Sequence, residues 1–151
     1  MALAVAGQTI YYPASVGDPS MYLGARLKLT QMSNGVWAWG MSLAKYTKEA
    51  IYNCKKHLKS NYGGWYVLPT QAANPFVMGY EPELDETPAL DPDRASYFQS
   101  IIRVMRWMCK IGCIKIATEV SLLSLHLAYP QEGHLNAALH VMGYLQLKYN
   151  S

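Results

Sequence analysis

The chain has 151 residues, of which 51% are hydrophobic and 15% charged, and its formal net charge is +3. This length allows one modest domain with its own core, or a piece of a larger assembly. The apolar stretch at residues 1–17 contains Gly, Gln, Ser and Pro and no basic residue, which argues against a signal peptide or a spanning helix. Three cysteines, an odd number, argue against a disulfide framework. We therefore expect an intracellular protein, cytoplasmic or nuclear and not secreted, with no membrane partner.

The charges are distributed unevenly along the chain. Six of the ten acidic residues lie between Glu81 and Asp93, whereas seven bases and a single acid, Glu49, lie between Arg26 and Lys59. Such an excess of bases favours a polyanion as a partner of the early segment, although lysine-rich helix faces are more often simply solvated. Both interpretations stay open at this point.

The N-terminal third is predicted to be mainly extended. Residues 1–20 show no clear period and contain two prolines, which predicts an irregular segment or a frayed strand. Residues 21–30 alternate between apolar and polar positions, and residues 36–41 alternate again around Trp37 and Trp39. Asn34-Gly35 between the two runs predicts a β-hairpin, because both residues tolerate positive φ. Tryptophans in such alternation more often pack than stack on a ligand.

A helix is predicted to follow, with Ser42 as its N-cap, through about Lys59, and Gly63-Gly64 as its stop. Apolar residues recur at helical spacing and define one stripe: Leu43, Tyr46, Ala50, Ile51, Cys54 and Leu58. Five lysines fall largely off that stripe: Lys45, Lys48, Lys55, Lys56 and Lys59. Hairpin and helix together form the predicted segment 21–64.

The remaining chain is predicted to be a connector and a three-helix cluster. Residues 65–90 hold four prolines and little periodicity, so they form a long acidic connector that is either draped over another surface or mobile. Asp91-Pro92 is a good helix start. Within residues 91–151 three helices are expected, the second from about Ile116 until Pro130 and the third through Tyr149. The fold class is therefore α+β: a β-hairpin, a helix, a Pro-rich connector and a three-helix cluster.

The residues alone describe no self-contained active site. Cys109 and Cys113 are four apart, but Gly112 between them interrupts the helix and no second pair has metal-ligand spacing. Cys54-x-x-His57 is isolated, and the other histidines lack a catalytic motif around them. The acids of residues 81–93 lie among prolines, which leaves them without a scaffold for paired chemistry. We predict no catalytic residue, no metal site and no cofactor in this chain.

Two stretches resemble the copia-type retrotransposon reverse transcriptases. The first is "DPSMYLGARLKLTQMSNGVWAWGMSLAKYTKEAIYNCKKHL", where that family has a "YLG" or "FLG" strand and a hairpin leading into a helix of the form "KYxxxxL". The second is "SYFQSIIRVMRWMCKIGCIKIATEVSLLSLHLAYPQEGHLNAALHVMGYL". It is similar to a Tyr-initiated helix, a "Gly/Thr-Arg-x-Asp-Ile" start, "A-V-x-x-L-S", a proline, and a His before a helix ending in Tyr-Leu. The matching positions in order are Tyr97, Ile116, Ala117, Val120, Leu123, Ser124, Pro130, His134, Ala138, Tyr144 and Leu145.

The resemblance covers roughly residues 17–149 and implies the thumb and connection region after the catalytic palm. The family's polymerase uses a Tyr-x-Asp-Asp turn and another aspartate to hold two Mg²⁺ ions. This chain contains no Asp-Asp pair, and only 21 residues precede Tyr22, too few for the palm. The RNase H carboxylates would lie beyond Ser151. We therefore expect a fragment of a polyprotein that lacks its palm and RNase H portions and is inactive alone.

The resemblance also implies how nucleic acid would be positioned. Tyr22, Leu23 and Gly24 correspond to the part of the enzyme that holds the primer strand, and the helix through Lys59 to the thumb helix along the duplex. Weak, sequence-independent binding of an RNA or DNA duplex is expected from these three residues and from Lys45, Lys48, Lys55, Lys56 and Lys59. The alternatives are a non-enzymatic helical interaction module and a transposon remnant without function.

Two departures from the family pattern lie at the start of the predicted third helix of the chain. Cys113 stands where Arg is expected and Lys115 where Asp is expected. Replacing an acid by Lys at a helix start removes a cap or a favourable contact with the helix dipole. We interpret the stretch as a weakened helix start and not as a thiol–lysine site.

Overall fold

A computed structural model describes residues 3–5, 8–10 and 20–149 of the chain. Contacts divide the chain into two units, Met1–Ser42 and Leu43–Ser151, so the boundary falls between the hairpin and the helix of the predicted segment 21–64. The α+β class is confirmed, since the described residues form a three-stranded antiparallel sheet, a two-stranded sheet and four α-helices.

The first unit begins with two short strands inside the segment that was expected to be irregular or a frayed strand. Strand β1 (Leu3–Val5) pairs with β2 (Gln8–Ile10) in antiparallel register, with Ala4 opposite Thr9. The rest of that predicted segment, up to residue 19, lies outside the described residues.

The three-stranded sheet starts with a tight turn that the sequence did not predict. Strands β3 (Met21–Tyr22) and β4 (Ala25–Gln31) are joined by Leu23 and Gly24, both with positive φ, 51° and 88°. Positive φ at both central residues of a two-residue loop is the signature of a type I′ turn. Leucine is unfavourable there, because its Cβ crowds the following carbonyl oxygen in the left-handed region.

The hairpin predicted at Asn34-Gly35 is confirmed, but its turn differs from the expected one. Strand β5 (Trp37–Ser42) pairs with β4, and the last pair before the loop joins Gln31 to Trp37. Only Gly35 has positive φ, 80°, while Asn34 Oδ1 accepts a hydrogen bond from the Val36 amide at 3.1 Å. Beyond that pair the Met32 amide donates to the Val36 carbonyl at 2.8 Å, which leaves a three-residue loop, residues 33–35, closed by the left-handed Gly35.

The second unit begins with helix α1 (Ala44–Tyr62), which ends where Gly63 adopts the left-handed conformation at φ 54°. The predicted glycine stop is thus confirmed. The prediction that Ser42 caps the helix is wrong, because Ser42 is paired with Arg26 as the last residue of β5. Leu43 occupies the cap position, and its side chain has no acceptor to offer the first helical amides.

Three further helices follow: α2 (Pro92–Lys110), α3 (Ala117–Ser124) and α4 (Glu132–Tyr149). The predicted cap of α2 is confirmed, since Asp91 Oδ1 accepts a hydrogen bond from the Arg94 amide at 2.9 Å. Helix α3 is shorter than predicted, because tighter i to i+3 bonds replace the α-helical pattern after Ser124. The predicted apolar stripe of α2 is buried: Phe98, Ile101, Ile102, Met105 and Met108.

Helix α4 is the centre of the second unit and packs against α1, α2 and α3. Most of its circumference is buried, as expected for a helix that is apolar on all sides. Gly143 allows the connector to approach, because a Cβ there would lie 2.6 Å from Pro69 Cγ. The buried residues of α4 are His134, Leu135, Ala137, Ala138, Leu139, Val141, Met142, Gly143, Tyr144 and Leu145.

The connector between α1 and α2 is draped over the helices. It contains a 3-10 turn at Pro82–Leu84, and its Leu68 and Ala72 are buried. Its end is hydrogen-bonded to the start of α4: the Leu90 amide donates to the Pro130 carbonyl at 3.0 Å and the Glu132 amide to the Pro88 carbonyl at 2.9 Å. Of the two expected behaviours, draped or mobile, the structure shows the first.

The structure of the segment before α3 differs from the prediction that Lys115 stands at the cap position. Residues Ile114–Ile116 form a 3-10 turn that continues directly into α3, with buried Cys113 before it and Ile116 at the cap position of α3 itself. Lys115 is therefore not the cap residue. It lies in the first turn of the combined helix, where a positive charge faces the positive end of the helix dipole.

Replacing Lys115 by Asp should raise the melting temperature by roughly 1 to 4 °C, because the charge near the helix start becomes favourable. Lys115→Gln, which only removes the positive charge, should give a smaller increase. Thermal unfolding followed by circular dichroism would measure both. An unchanged or lower melting temperature for Lys115→Asp would show that the dipole contact does not matter here.

Candidate nucleic-acid interface

The five predicted lysines lie together on the outer face of α1. Successive residues of an α-helix are rotated by about 100°, which places all five side chains within an arc of roughly 100°. Lys45 and Lys59 are separated by roughly 21 Å along the helix axis. All five are exposed, and we call this set the lysine stripe: Lys45, Lys48, Lys55, Lys56 and Lys59.

Packing of the opposite side of α1 sets the orientation of this stripe. Thr47, Ile51, Cys54 and Leu58 are buried and recur at spacings of three and four. Because this side packs against α4, the lysines are directed away from the core. The prediction that the lysines fall off the apolar stripe is confirmed.

The charge of the lysine stripe is only weakly compensated. Lys45 and Glu49 form an ion pair at 4.0 Å, with both side chains more than 60% exposed, so solvent and salt screen it strongly. Within the described residues the other four lysines form no ion pair. Tyr52 lies in the middle of the stripe with 65% of its surface exposed, which provides an aromatic ring among the charges.

Tyr22, Leu23 and Gly24 belong to the first unit and form a surface of their own at the type I′ turn. Tyr22 is the last residue of β3 and pairs with Ala25 of β4. Both Tyr22 and Leu23 are more than half exposed. The structure thus brings the five lysines together on one helix and the three turn residues together on one hairpin.

The three-stranded sheet has one apolar and one basic face. Cross-strand pairs place Leu27 opposite Met41 and Leu29 opposite Trp39, all on the same face as Trp37. Trp37 is 61% and Trp39 42% exposed, so neither ring is buried. Arg26 and Lys28 alternate with these positions and are therefore directed to the other face.

Two of the three cysteines are buried and contact tyrosine hydroxyl groups. Cys113 is buried and accepts a hydrogen bond from Tyr149 Oη at 3.8 Å, and burial raises the pKa of its thiol. Cys54 Sγ lies 3.2 Å from Tyr97 Oη, while the His57 ring stacks on the Tyr97 ring at 3.9 Å. All three cysteines are free, and the described residues contain no group of three His, Cys, Asp or Glu able to hold a metal ion.

The His134 side chain caps the N-terminus of α4. Its Nδ1 accepts a hydrogen bond from the Gln131 amide at 2.9 Å, and its Nε2 donates to the Pro82 carbonyl at 3.0 Å. The first bond is the capping-box contact that a Glu or Gln at this position usually makes. His126 stacks on His134 with ring centroids 4.1 Å apart, and its Nε2 is buried without a hydrogen-bond partner among the described residues.

The acids of the connector stabilise the second unit locally. Burial would raise the pKa of Asp85, but hydrogen bonds from Thr87 and Tyr80 outweigh it and hold that pKa below its usual value. Arg94 Nη1 donates to Glu132 Oε2 at 2.7 Å and to Tyr66 Oη at 2.8 Å, which ties the connector and two helix starts together. These contacts join the connector to the starts of α2 and α4.

Sequence reasoning missed Tyr52, whose helical position between Lys48 and Lys55 was sufficient to find it. It also missed the Tyr66–Arg94–Glu132 contacts, because these residues lie far apart in the chain and no local pattern joins them.

No known protein family, curated protein or solved structure matches the chain. Among the described residues, no helix combines the length and apolar character needed to cross a membrane.

The stability of the second unit should fall as the pH is lowered through the ordinary range of histidine, about 6.5. Burial, followed by the neighbouring His134, lowers the pKa of His126, and Glu83 and Asp85 oppose this only in part. The unfolded chain therefore takes up the proton more readily, so the stabilisation is present above that pH and lost below it. Urea unfolding at pH 8.0, 6.5 and 5.5 would measure this loss.

His126→Gln should make part of this pH dependence disappear. His140→Gln is the matched control, since His140 makes a single bond from Nε2 to the Asn74 carbonyl at 3.0 Å. If His126→Gln loses as much stability on acidification as the parent chain, His126 is not the group responsible.

Proposed function

We propose that this chain positions a nucleic-acid duplex through the lysine stripe of α1, as the thumb and connection part of a copia-type reverse transcriptase. The observation that carries the proposal is the arrangement of five exposed lysines on one helix face, with a single screened acid among them. The order of the matching residues supports the family assignment.

The size of the stripe fits a duplex backbone. Its length of roughly 21 Å corresponds to about six base pairs at 3.4 Å each. Lysine ammonium groups bind phosphates as point charges without reading bases, and flexible side chains adapt to the helical path of a backbone. Binding is therefore independent of sequence, and its strength comes mainly from the release of counterions.

The hairpin would contribute a second contact with nucleic acid. By the resemblance, Tyr22, Leu23 and Gly24 would face the primer strand, and their exposure at a tight turn leaves them accessible. The type I′ turn holds the Tyr22 ring at the end of a short strand, where it can stack on a base or sugar.

The chemistry of polymerisation would come from other parts of the polyprotein. The palm would provide the Tyr-x-Asp-Asp turn and the Mg²⁺ ions, and the RNase H portion its own carboxylates. The sequence of this chain contains no Asp-Asp pair, so its role is to bind and orient the duplex. Three free cysteines suit a reducing compartment, the cytoplasm or the nucleus.

A non-enzymatic interaction module is the second candidate, and the exposed apolar face of the sheet favours it. Trp37, Trp39 and Met41 lie on that face with large exposed areas, as in surfaces that bind another protein. Under this alternative the partner would be the intact polymerase or another part of the polyprotein. A transposon remnant without function would bind neither a nucleic-acid duplex nor a protein partner.

The affinity for a short DNA duplex should fall steeply with salt, with a slope of about −4 in a plot of log K against log salt concentration. Lys48→Gln, Lys55→Gln and Lys59→Gln combined should reduce that slope to about −1 to −2, since each lost phosphate contact removes about 0.9. Fluorescence anisotropy with a labelled duplex between 20 and 200 mM salt, about the range in which such contacts are lost, would measure both slopes.

The matched control removes the same charge from another helix. Arg103, Arg106 and Lys110 are exposed on α2, and replacing all three by Gln should leave the slope nearly unchanged. Equal losses for the two triple variants would show that net charge, and not the lysine stripe, determines binding. A flat salt response of the parent chain would contradict the proposed contact with phosphates.

The purified chain should not extend a primer on an RNA or DNA template in the presence of Mg²⁺. The reason is the lack of an Asp-Asp pair to hold the metal ions that align the primer hydroxyl and the triphosphate. A gel assay with an active reverse transcriptase as positive control would measure this. Primer extension above background would overturn the assignment as a non-catalytic part.

A further inference from the structure

A second candidate site lies between α1 and α2, beside the lysine stripe, and Glu49, the acid that pairs with Lys45 of the stripe, lies at its edge. The two helices are antiparallel there: the Tyr62 ring near the end of α1 lies 6.1 Å from the Tyr97 ring near the start of α2. They enclose a cleft of about 490 Å³, which lies within the usual size range of small-ligand sites.

The two walls of the cleft follow the same helical pattern. The α1 wall consists of Tyr46, Glu49, Ala50, Asn53, Cys54 and His57. The α2 wall consists of Asp93, Ser96, Tyr97, Ser100, Ile101 and Val104. Both sets have the spacing of one helix face, positions 0, 3, 4, 7, 8 and 11, so the cleft runs along both helices for about three turns.

The floor of the cleft is apolar and its wall is lined with neutral hydrogen-bonding groups. Met142 of α4 and Ile101 are almost completely buried at the floor, with Cys54 beside them. Asn53, Ser96 and Ser100 provide side-chain oxygens along its length. A ligand that fits this cleft therefore has an apolar chain with hydrogen-bond donors at intervals.

The charged residues of the cleft are both acidic and lie near its opposite ends. Tyr97 is level with Cys54 and His57, as its contacts with them at 3.2 and 3.9 Å show. Asp93 is one turn beyond Tyr97 in one direction, and Glu49 lies one to two turns beyond Cys54 in the other. At 1.5 Å per residue the two carboxylates are roughly 15 Å apart along the helices.

Among the described residues that line the cleft there is no Lys or Arg, although the chain as a whole carries a net charge of +3. Asp93 has no ion-pair partner in the described part of the chain, and Glu49 has only the screened contact with Lys45. Attraction for a cation is therefore local to the cleft and opposed by the rest of the surface.

We propose that this cleft binds a linear aliphatic polyamine, with its terminal ammonium groups at Glu49 and Asp93 and its methylene chain over Ile101 and Met142. The spacing of the carboxylates selects an extended tetraamine over a short diamine, which reaches only one of them. The cleft is lined by none of the stripe lysines and meets the stripe at the Glu49–Lys45 contact; it does not depend on the proposed binding of nucleic acid.

Titration of the isotope-labelled full chain with spermine, followed by amide chemical shifts at pH 8 and without nucleic acid, tests this site. Spermine should bind at least about fivefold more tightly than putrescine, since it gains a second charge contact. The shifted amides should belong to residues of the two cleft walls. Equal affinities, or shifts that map elsewhere, would overturn the proposal.

Glu49→Gln and Asp93→Asn should each weaken spermine binding about fivefold and leave putrescine less affected. Glu86→Gln removes an exposed acid of the connector outside the cleft and is the matched control. Because Glu49 is exposed, its replacement should not disturb folding, which the melting temperature without ligand verifies. An equal loss for Glu86→Gln would show that spermine responds only to net charge.

Discussion

Burial of α4 is the constraint on which the second unit depends. A helix that is apolar around most of its circumference is stable only when other elements cover it on every side. Helices α1, α2 and α3 each pack against α4, and the connector covers the remaining side, with Pro69 against Gly143. The arrangement of the helices, and with it the direction of every functional side chain on α1, follows from this requirement.

Helix α1 illustrates how one short helix serves several purposes. One side supplies Ile51, Cys54 and Leu58 to the core, and a second carries the lysine stripe. The third side faces α2 with Glu49 and other cleft residues. Surfaces that attract opposite charges therefore lie on the same 19-residue helix, about a third of a turn apart. To separate the electrostatic effects of the lysine stripe from those of the cleft, each variant must change residues of only one of these two surfaces.

Much of the secondary structure and the lysine stripe was predictable, because both depend on local periodicity. The 3.6-residue period predicted α1 and α2, and the same spacing separated the lysines from the core. A prediction failed where pairing with another strand decided the local geometry: Ser42, predicted as the cap of α1, is paired with Arg26 in the sheet. The cleft between α1 and α2 was not predictable, since its shape depends on how both helices pack on α4.

The hydrogen bonds between the connector and α4 have a consequence for the order of folding. Backbone N–H groups in the first turn of α4 donate hydrogen bonds to residues that are synthesised much earlier. The Gly133 amide, for example, donates to Thr87 Oγ1 at 2.8 Å. On the ribosome, residues 82–90 emerge at least forty positions ahead of their partners. This acidic, proline-rich segment is therefore synthesised before its hydrogen-bond partners in α4, and we expect its prolines and charges to disfavour strand pairing until those partners are made.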